Sequence, residues 1–444
     1  MSQTHSEPTF VKPIQKWVSE SATPYVAAVV VTYLVARYAN YLADRLGPDQ
    51  FLIRAQAPGI YVPFVGTVAV LVFWIAYKGA MTRSRLLVGF LILLALAWLI
   101  QFALMRYHGD LMAHTVWLFI PTLLLLLFKT PSSRSVRQGL LIFAWTTAII
   151  LITTRVLEIL GLIPIFQIPD GVVEWENERY WQPLQGLLLL DGRWPGPFGY
   201  NAKTGFMSAL VLVIGLGIRR RSSWLLVIIG AAGVLATAGR MPYLTVASGL
   251  FILFFFGNSP VIRRIPFALR LGTVGVAVVG VGLYFLNSGT GATGRLGESG
   301  IWSGYIELWQ RSPFIGVGQV GIWEAPERIN YSLDAHSIYI QSLAVFGLLG
   351  FVAVFGALGL GLVITLRAAK DGWALPLALV TMYLVGGATE VLHPAWTAHS
   401  AYTLIVILAV IGAGQRVKGQ VESFDSTGAV TPAVKSNAAI VDWR

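Results

Sequence analysis

The most restrictive feature of this sequence is its series of long apolar runs separated by polar connections. An α-helix needs roughly 17–25 apolar residues to cross a bilayer. Of the 444 residues, 56% are hydrophobic and 12% are charged, whereas soluble proteins have about 45–50% apolar and about 25% charged residues. The sequence therefore predicts an all-α, polytopic integral membrane protein with about 12 transmembrane helices. The runs are residues 24–42, 60–77, 86–105, 115–128, 140–157, 204–218, 224–238, 243–256, 271–286, 338–366, 373–387 and 401–413.

The distribution of Lys and Arg predicts the orientation of these helices. Cytoplasmic loops of membrane proteins are enriched in both residues, and here the basic connections alternate with poorer ones without a violation. The basic side, which includes both termini, is therefore predicted to be cytoplasmic. The opposite side carries two long extracytoplasmic loops, 161–203 and 287–335. We expect residues 1–413 to form a single transmembrane domain, and the Ser/Thr/Gly/Ala-rich tail 414–444 to be cytoplasmic and disordered.

Composition also excludes several kinds of site. The chain has no cysteine, which excludes disulfides, thiolate metal sites and thiol nucleophiles. The net charge of +11 is spread over the connections between apolar runs, so nucleic acid is not a predicted partner. The sequence has no clustered Asp, Glu and His set of the kind that holds a metal ion.

His336 is the candidate catalytic residue. It lies in the segment Asp334-Ala-His336-Ser337, where an apolar run reaching Leu366 begins. Asp334 is predicted to cap this helix, which would place His336 in the first turn. The positive end of the helix dipole disfavours an imidazolium there, so the ring is predicted to be neutral and able to act as a general base. The alternative is that a lone histidine in a helix is structural.

Several arginines lie in the outer connections, where the positive-inside rule does not require them. Arginine binds phosphate oxygens through two parallel hydrogen bonds and keeps its charge. Converging arginines at an outer membrane surface would therefore suit a diphosphate on a lipid. The alternative is that they reach lipid headgroups or pair with loop carboxylates. The candidates are Arg193, Arg240, Arg295 and Arg311, with Arg328 as a second-tier candidate.

Other polar and aromatic residues mark the same outer side. Glu390, His393 and His399 lie in the last outer loop; we expect a structural role for them and keep them as second-tier site candidates. The spacing of apolar residues over 301–309 predicts an amphipathic helix that ends before Pro313. Its Trp302 either anchors the chain at the membrane interface or offers an apolar platform to a sugar ring.

The order of these features resembles the superfamily of O-antigen ligases and O-antigen polymerases. The most specific match is His336-Ser337, nine residues, and then Gly347-Leu-Leu-Gly350, which fits the family pattern His-(Asn/Ser/Gln)-x9-Gly-x-x-Gly. Three further stretches are similar to family segments, and the resemblance covers about residues 160–350. These stretches are Arg295…Trp302…Trp309…Pro313-Phe-Ile-Gly316-Val-Gly318, Thr237-Ala-Gly-Arg240, and the segment 192–201 with Arg193 and Phe198.

The resemblance implies a glycosyltransferase of the GT-C type in the bacterial inner membrane, with its active site facing the periplasm. The donor would be a glycan on undecaprenyl diphosphate, with no nucleotide sugar, metal or other cofactor. By analogy, Arg193, Arg240, Arg295 and Arg311 would bind the diphosphate and stabilise its developing charge. His336 would take the proton from the acceptor hydroxyl, with inversion at the anomeric carbon. Asp334, Ser337, Trp302, Gly347 and Gly350 would support this site.

The resemblance leaves the acceptor open. A ligase uses lipid A-core, a polymerase uses another lipid-linked repeat, and a protein O-oligosaccharyltransferase uses Ser or Thr. Polymerases often carry Arg-x15-Gly in two outer loops, but counting from Arg193 and Arg295 reaches Ala209 and Arg311, which favours a ligase. The alternative of another class is a transporter or flippase of lipid-linked glycans. Transporters tend to have internal repeats and helices broken at mid-membrane, whereas the informative residues here lie in outer loops.

Overall fold

All regular structure in the described part of the protein is α-helical. The computed structural model describes residues 85–104, 133–163, 194, 196–198, 201–218, 221–237, 240–257, 265–266, 268–269, 272, 300–325, 327, 335–389 and 400–414. Ten helices have described bounds, and no strand occurs within these ranges, which confirms the all-α prediction. The helices are α1 Arg85–Leu104, α2 Ser133–Ile159, α3 Asn201–Ile218, α4 Ser223–Thr237, α5 Arg240–Phe256, α6 Ile301–Arg311, α7 Gly318–Trp323, α8 Ile338–Lys370, α9 Leu375–Thr389 and α10 Ser400–Gly414.

Eight of the predicted apolar runs coincide with described helices, namely α1 to α5 and α8 to α10. The other four predicted runs lie outside the described residues, apart from residue 272; these runs are 24–42, 60–77, 115–128 and 271–286. The tail from residue 415 onward also lies outside the described residues. By length and composition, α2 and α8 are long and apolar enough to cross a membrane. The amphipathic helix expected at 301–309 is confirmed as α6, which ends at Arg311 before Pro313.

Several described helices expose large apolar side chains. Ile92 in α1, Ile149 in α2 and Ile228 in α4 are each more than half exposed. A water-soluble helix usually has one apolar stripe and one polar face, whereas a helix that is apolar on all sides is surrounded by protein or lipid. Exposed apolar side chains of this kind are compatible with contact with lipid.

Glycines bring α3 and α4 into backbone contact. The two helices pack antiparallel, joined by a short connection. A Cβ atom on Gly230 of α4 would stand 2.6 Å from the Leu212 nitrogen of α3, and one on Gly233 would stand 2.8 Å from Cβ of Ser208. Small residues at such positions let helix backbones approach closely. Helices α3 and α4 therefore pack closely, and α5 begins shortly after α4 ends.

Helix α8 is the centre of the remaining bundle. It packs against α1, α9 and α10, while α9 also contacts α5 and α3, and α2 contacts α3 and α10. A smaller hydrophobic cluster lies apart from this core, where α6 and α7 cover the beginning of α8. Because Ala335 belongs to this cluster, the chain that leads into α8 is packed under α6. The cluster consists of Tyr305, Leu308, Ile322, Ala335, Ala344, Val345 and Phe346.

Candidate functional site

The helix that follows His336 begins later than the sequence predicts. Its first residue is Ile338, and Ser337 occupies the N-cap with an extended backbone (φ −160°, ψ 123°) and no side-chain capping bond. The carbonyl of Ser337 accepts the first helical hydrogen bond, from the Gln341 nitrogen at 3.0 Å. The prediction that Asp334 caps the helix and that His336 lies in its first turn is therefore wrong. Asp334 itself lies outside the described residues.

His336 has an unusual backbone conformation. Its φ is 47°, and it is the only non-glycine residue with positive φ among those described. This left-handed region is uncommon for residues that carry a Cβ and costs about 1–3 kcal/mol. Residues held in such conformations are concentrated at functional sites. The side chain of His336 is half-buried and is engaged with the surrounding protein.

Two hydrogen bonds hold the residue before His336. The Ala335 nitrogen donates to Oε1 of Gln341 at 2.9 Å, and the Ala335 carbonyl accepts from Nε1 of Trp302 at 2.8 Å. Ala335 is fully buried; the bond to Gln341 is buried as well, whereas the bond from Trp302 is partly buried. Trp302 therefore contacts the His336 segment directly.

Helix α8 is broken at Gly347. This residue has φ 61° and ψ −168°, a combination that is essentially restricted to glycine. The break divides α8 into a short part, 338–346, and a long part, 348–370. A break leaves carbonyl and N–H groups without intrahelical partners, and a buried backbone group without a partner is unfavourable.

The segment after α6 satisfies these groups. The Leu348 nitrogen donates to the Pro313 carbonyl at 2.8 Å, and the Leu349 nitrogen donates to the Phe314 carbonyl at 3.0 Å. On the other side of the break, the Ala344 carbonyl accepts from the nitrogen of Val317 at 2.9 Å. The segment 313–317 therefore caps both halves of the broken helix with its own backbone.

Two more glycines make this contact possible. Gly316 has φ 74°, and a Cβ on it would stand 2.6 Å from the Gly347 nitrogen. Gly350 lies one turn after the break, where a Cβ would stand 3.2 Å from Cγ of Phe346. The first glycines of Pro-x-x-Gly-x-Gly and of Gly-x-x-Gly, Gly316 and Gly347, thus meet at one place, while Gly350 packs closely against Phe346.

A second set of contacts involves Trp194 and Phe198. The Trp194 nitrogen donates to the Ala236 carbonyl at 2.9 Å, and its indole Nε1 donates to Glu158 at 2.8 Å. The Phe198 nitrogen donates to Oγ1 of Thr204 at 3.4 Å. Trp194 is next in sequence to Arg193, and Ala236 precedes Arg240 by four residues. The described contacts therefore join the two segments that carry these arginines.

Glu158 is a buried carboxylate at the end of α2. Its side chain is fully buried and forms an ion pair with Arg155 at 3.1 Å, as the spacing of the two residues predicts. Glu158 therefore accepts from a charged donor, Arg155, and from a neutral donor in a distant segment, the Trp194 indole. A charged group in such a position is costly unless it is paired and hydrogen-bonded, and here it is both.

Arg311 lies on the surface of α6. Its guanidinium is 3.5 Å from Glu307, one turn earlier, and both side chains are about half exposed, at 45% and 50%. For Arg240, the structure describes the backbone, as the first residue of α5. The convergence of the arginines remains a prediction, because the remaining candidates lie outside the described residues. These are Arg193, Arg295, Arg328, Asp334, Glu390, His393 and His399.

Sequence reasoning assigned no site role to Gln341, Trp194 or Glu158. The available signal for Glu158 was a carboxylate at the end of a long apolar run, which in a membrane helix points to a functional role. Gln341 is likewise a polar residue in an apolar stretch. The usual capping box uses the third helical residue and the N-cap, so that motif does not predict a bond from Gln341 to Ala335.

Within the described residues, no group of three or more His, Asp or Glu side chains could hold a metal ion. Comparisons with known proteins add no family: no family model matches this chain, and no curated protein matches it significantly.

Proposed function

We propose that this chain is a glycosyltransferase of the GT-C type that crosses the bacterial inner membrane several times. It would move a glycan from undecaprenyl diphosphate to an acceptor hydroxyl at the outer face, with lipid A-core as the favoured acceptor. The proposed topology has both termini in the cytoplasm and His336 facing the periplasm. The apolar helices α2 and α8 support membrane insertion, and the resemblance supplies the reaction.

One observation carries the proposal. The motifs on which the resemblance rests are distant in sequence but touch in the structure: Trp302 bonds to Ala335, and the segment 313–317 caps the break at Gly347. Both contacts converge on the short helix that follows His336. A histidine in a strained conformation, set by contacts from two other motifs, is typical of a functional site and is hard to explain as a packing residue.

The proposed reaction assigns a role to each group. His336 takes the proton of the acceptor hydroxyl as that oxygen attacks the anomeric carbon. The bond between the anomeric carbon and the diphosphate oxygen breaks, and the oxygen keeps the electron pair. Arg193, Arg240 and Arg295 hold the diphosphate and stabilise the charge that develops on it, while Arg311 is assigned a weaker share because it pairs with Glu307. Attack opposite the leaving group inverts the anomeric configuration.

Two alternatives compete with ligation. A repeat-unit polymerase would use the same donor and the same base but a lipid-linked glycan as acceptor. A flippase of lipid-linked glycans gains one argument from the break in α8, since transporters bind substrates at discontinuous helices near the membrane midplane. However, the 348–370 part is about 34 Å long at a rise of about 1.5 Å per residue and crosses a bilayer of about 30 Å by itself. In the proposed topology the break would then lie at one end of the crossing, which favours the enzyme.

The test is reconstitution of the purified protein in proteoliposomes that contain an undecaprenyl-diphosphate glycan. Lipid A-core, a second lipid-linked glycan and a Ser/Thr peptide are offered in turn, and products are identified by mass spectrometry. We expect transfer to lipid A-core and release of undecaprenyl diphosphate, both lost in His336→Ala. Movement of the intact donor between leaflets without any transfer would contradict the proposal in favour of a flippase.

A further inference from the structure

Gln341 reaches out of α8 toward the chain that precedes it. It is the fourth residue of the helix, and its Oε1 accepts a hydrogen bond from the Ala335 nitrogen at 2.9 Å. In the usual capping box, the third helical residue bonds to the N-cap nitrogen. Gln341 instead reaches two residues beyond the N-cap Ser337. The bond therefore closes a loop of backbone that contains His336.

Packing does not explain a glutamine at this position. Gln341 is 1% exposed, and its Nε2 is buried without a hydrogen-bond partner among the described residues. A buried amide donor without a partner is unfavourable, and a methionine would fill a similar volume without that penalty. What the glutamine supplies is an acceptor for the Ala335 nitrogen.

The two bonds on Ala335 act on successive peptide groups. Gln341 holds the peptide nitrogen of Ala335, while Trp302 holds its carbonyl, which belongs to the peptide that enters His336. The orientation of that peptide, together with φ of His336, sets the direction in which the imidazole leaves the backbone. Because φ is 47° at His336, the chain needs external contacts to stay in this conformation.

We propose that Gln341 is a positioning residue that directs the His336 imidazole by anchoring Ala335. This inference rests on the proposed function, in which His336 is the general base. Gln341 itself touches neither donor nor acceptor in this scheme, since its acceptor oxygen is committed to the backbone. Loss of the bond from Ala335 to Gln341 would move the imidazole of His336. A displacement of about 1 Å at a reacting group can lower a rate about 100-fold.

The experiment compares three variants of the full chain in proteoliposomes. Gln341→Met removes the acceptor at constant side-chain length, whereas Gln341→Glu keeps an oxygen at the same place, where burial favours the neutral, protonated carboxyl. Ser342→Ala is the matched control, because Ser342 is the buried neighbour of Gln341 and its Oγ has no hydrogen-bond partner in the described part of the chain. Initial rates give kcat and the donor KM for each protein.

A second readout does not depend on catalysis. Diethyl pyrocarbonate modifies accessible neutral histidines, and peptide mass spectrometry gives the modification rate of His336 alone. We expect Gln341→Met to lower kcat by about 10- to 100-fold with the donor KM unchanged, and to accelerate modification of His336. In Gln341→Glu, kcat and the modification rate of His336 should both lie close to the wild-type values. Ser342→Ala should match the wild-type protein in both measurements.

The outcomes separate the two proposals. A wild-type kcat in Gln341→Met would overturn the positioning role and leave the proposed function in place. If the wild-type chain transfers glycan to no acceptor, the proposed function fails, and an unchanged modification rate of His336 in Gln341→Met then overturns the positioning role as well. If Gln341→Met does not fold, Gln341→Glu carries the test, since a folded Gln341→Glu protein as inactive as His336→Ala would overturn the inference.

Discussion

Gly316 and Gly347 lie backbone against backbone, so that a Cβ on Gly316 would stand only 2.6 Å from the nitrogen of Gly347. Both residues have positive φ, 74° and 61°, which glycine adopts without steric cost. This contact lets the segment 313–317 enter the break in α8 and bond to both of its ends. The geometry of the candidate site therefore depends on two positions that carry no side chain.

Gly347→Ala should strongly destabilise the protein. A Cβ there would meet the Ile315 nitrogen at 2.5 Å, and the backbone conformation is also unfavourable for alanine, so we expect a loss of about 2–5 kcal/mol in the free energy of unfolding. Gly359→Ala in the same helix is the control, since a Cβ there meets nothing within 4 Å. Thermal unfolding in detergent measures both. Equal melting temperatures for the two variants would contradict the described break.

Trp302→Phe removes the indole donor and keeps the aromatic ring. The Ala335 carbonyl then lacks its bond from Trp302, which should cost about 1–3 kcal/mol because that carbonyl is buried. We expect transfer activity to fall more than stability explains, since the bond orients the peptide before His336. Trp224→Phe is the control, because Trp224 is 64% exposed. If both variants kept the wild-type rate, Trp302 would be only an interfacial anchor.

Glu158 and Glu307 provide a comparison of a buried with an exposed ion pair. Glu158→Ala removes the buried carboxylate that pairs with Arg155 and accepts from the Trp194 indole, so we expect a loss of about 3–5 kcal/mol in stability. Glu307→Ala breaks a half-exposed pair with Arg311 and should cost about 1 kcal/mol or less. Denaturation monitored by intrinsic tryptophan fluorescence measures the difference. Similar costs for the two variants would refute the burial of Glu158.

His336→Asn separates the chemistry of His336 from its conformation. Asparagine tolerates the left-handed region better than most residues, so the variant should keep the wild-type melting temperature. It has no basic nitrogen and cannot take the acceptor proton, so we expect transfer to fall at least about 100-fold, the lower range for general base catalysis. Radiolabelled glycan transfer measures the rate. Wild-type transfer by folded His336→Asn would rule out the general-base role.

The arginine prediction concerns donor affinity. Each single replacement by alanine should weaken binding of the undecaprenyl-diphosphate donor about 10- to 100-fold, at Arg193, Arg240 or Arg295. The reason is that hydrogen bonds to charged groups contribute about 1.5–3 kcal/mol. Binding of the acceptor should change less. Arg221→Ala is the control, since Arg221 is exposed and lies in a connection predicted to be cytoplasmic. Donor affinity that stays unchanged in all three variants would refute the diphosphate site.

The sequence by itself determined nine of the ten described helices, all except α7. Eight apolar runs and one amphipathic stretch became helices, because hydrophobic periodicity, run length and the position of Pro313 are local properties. The ion pair of Arg155 with Glu158 followed from their spacing. The motifs of the resemblance were likewise visible as residues and intervals, but not as contacts.

Only the tertiary structure decided where the helix after His336 begins and where it breaks. The sequence predicts a continuous helix capped by Asp334, whereas α8 begins at Ile338 and breaks at Gly347. The bonds responsible join residues that are far apart in the chain: Leu348 bonds to Pro313, 35 positions earlier, and Ala335 bonds to Trp302, 33 positions earlier. Local propensity does not include partners so distant in the chain, and an apolar run containing glycine is compatible with both a continuous and a broken helix. Hydrogen bonds from the segment 313–317 to the backbone groups freed at Gly347 select the broken one.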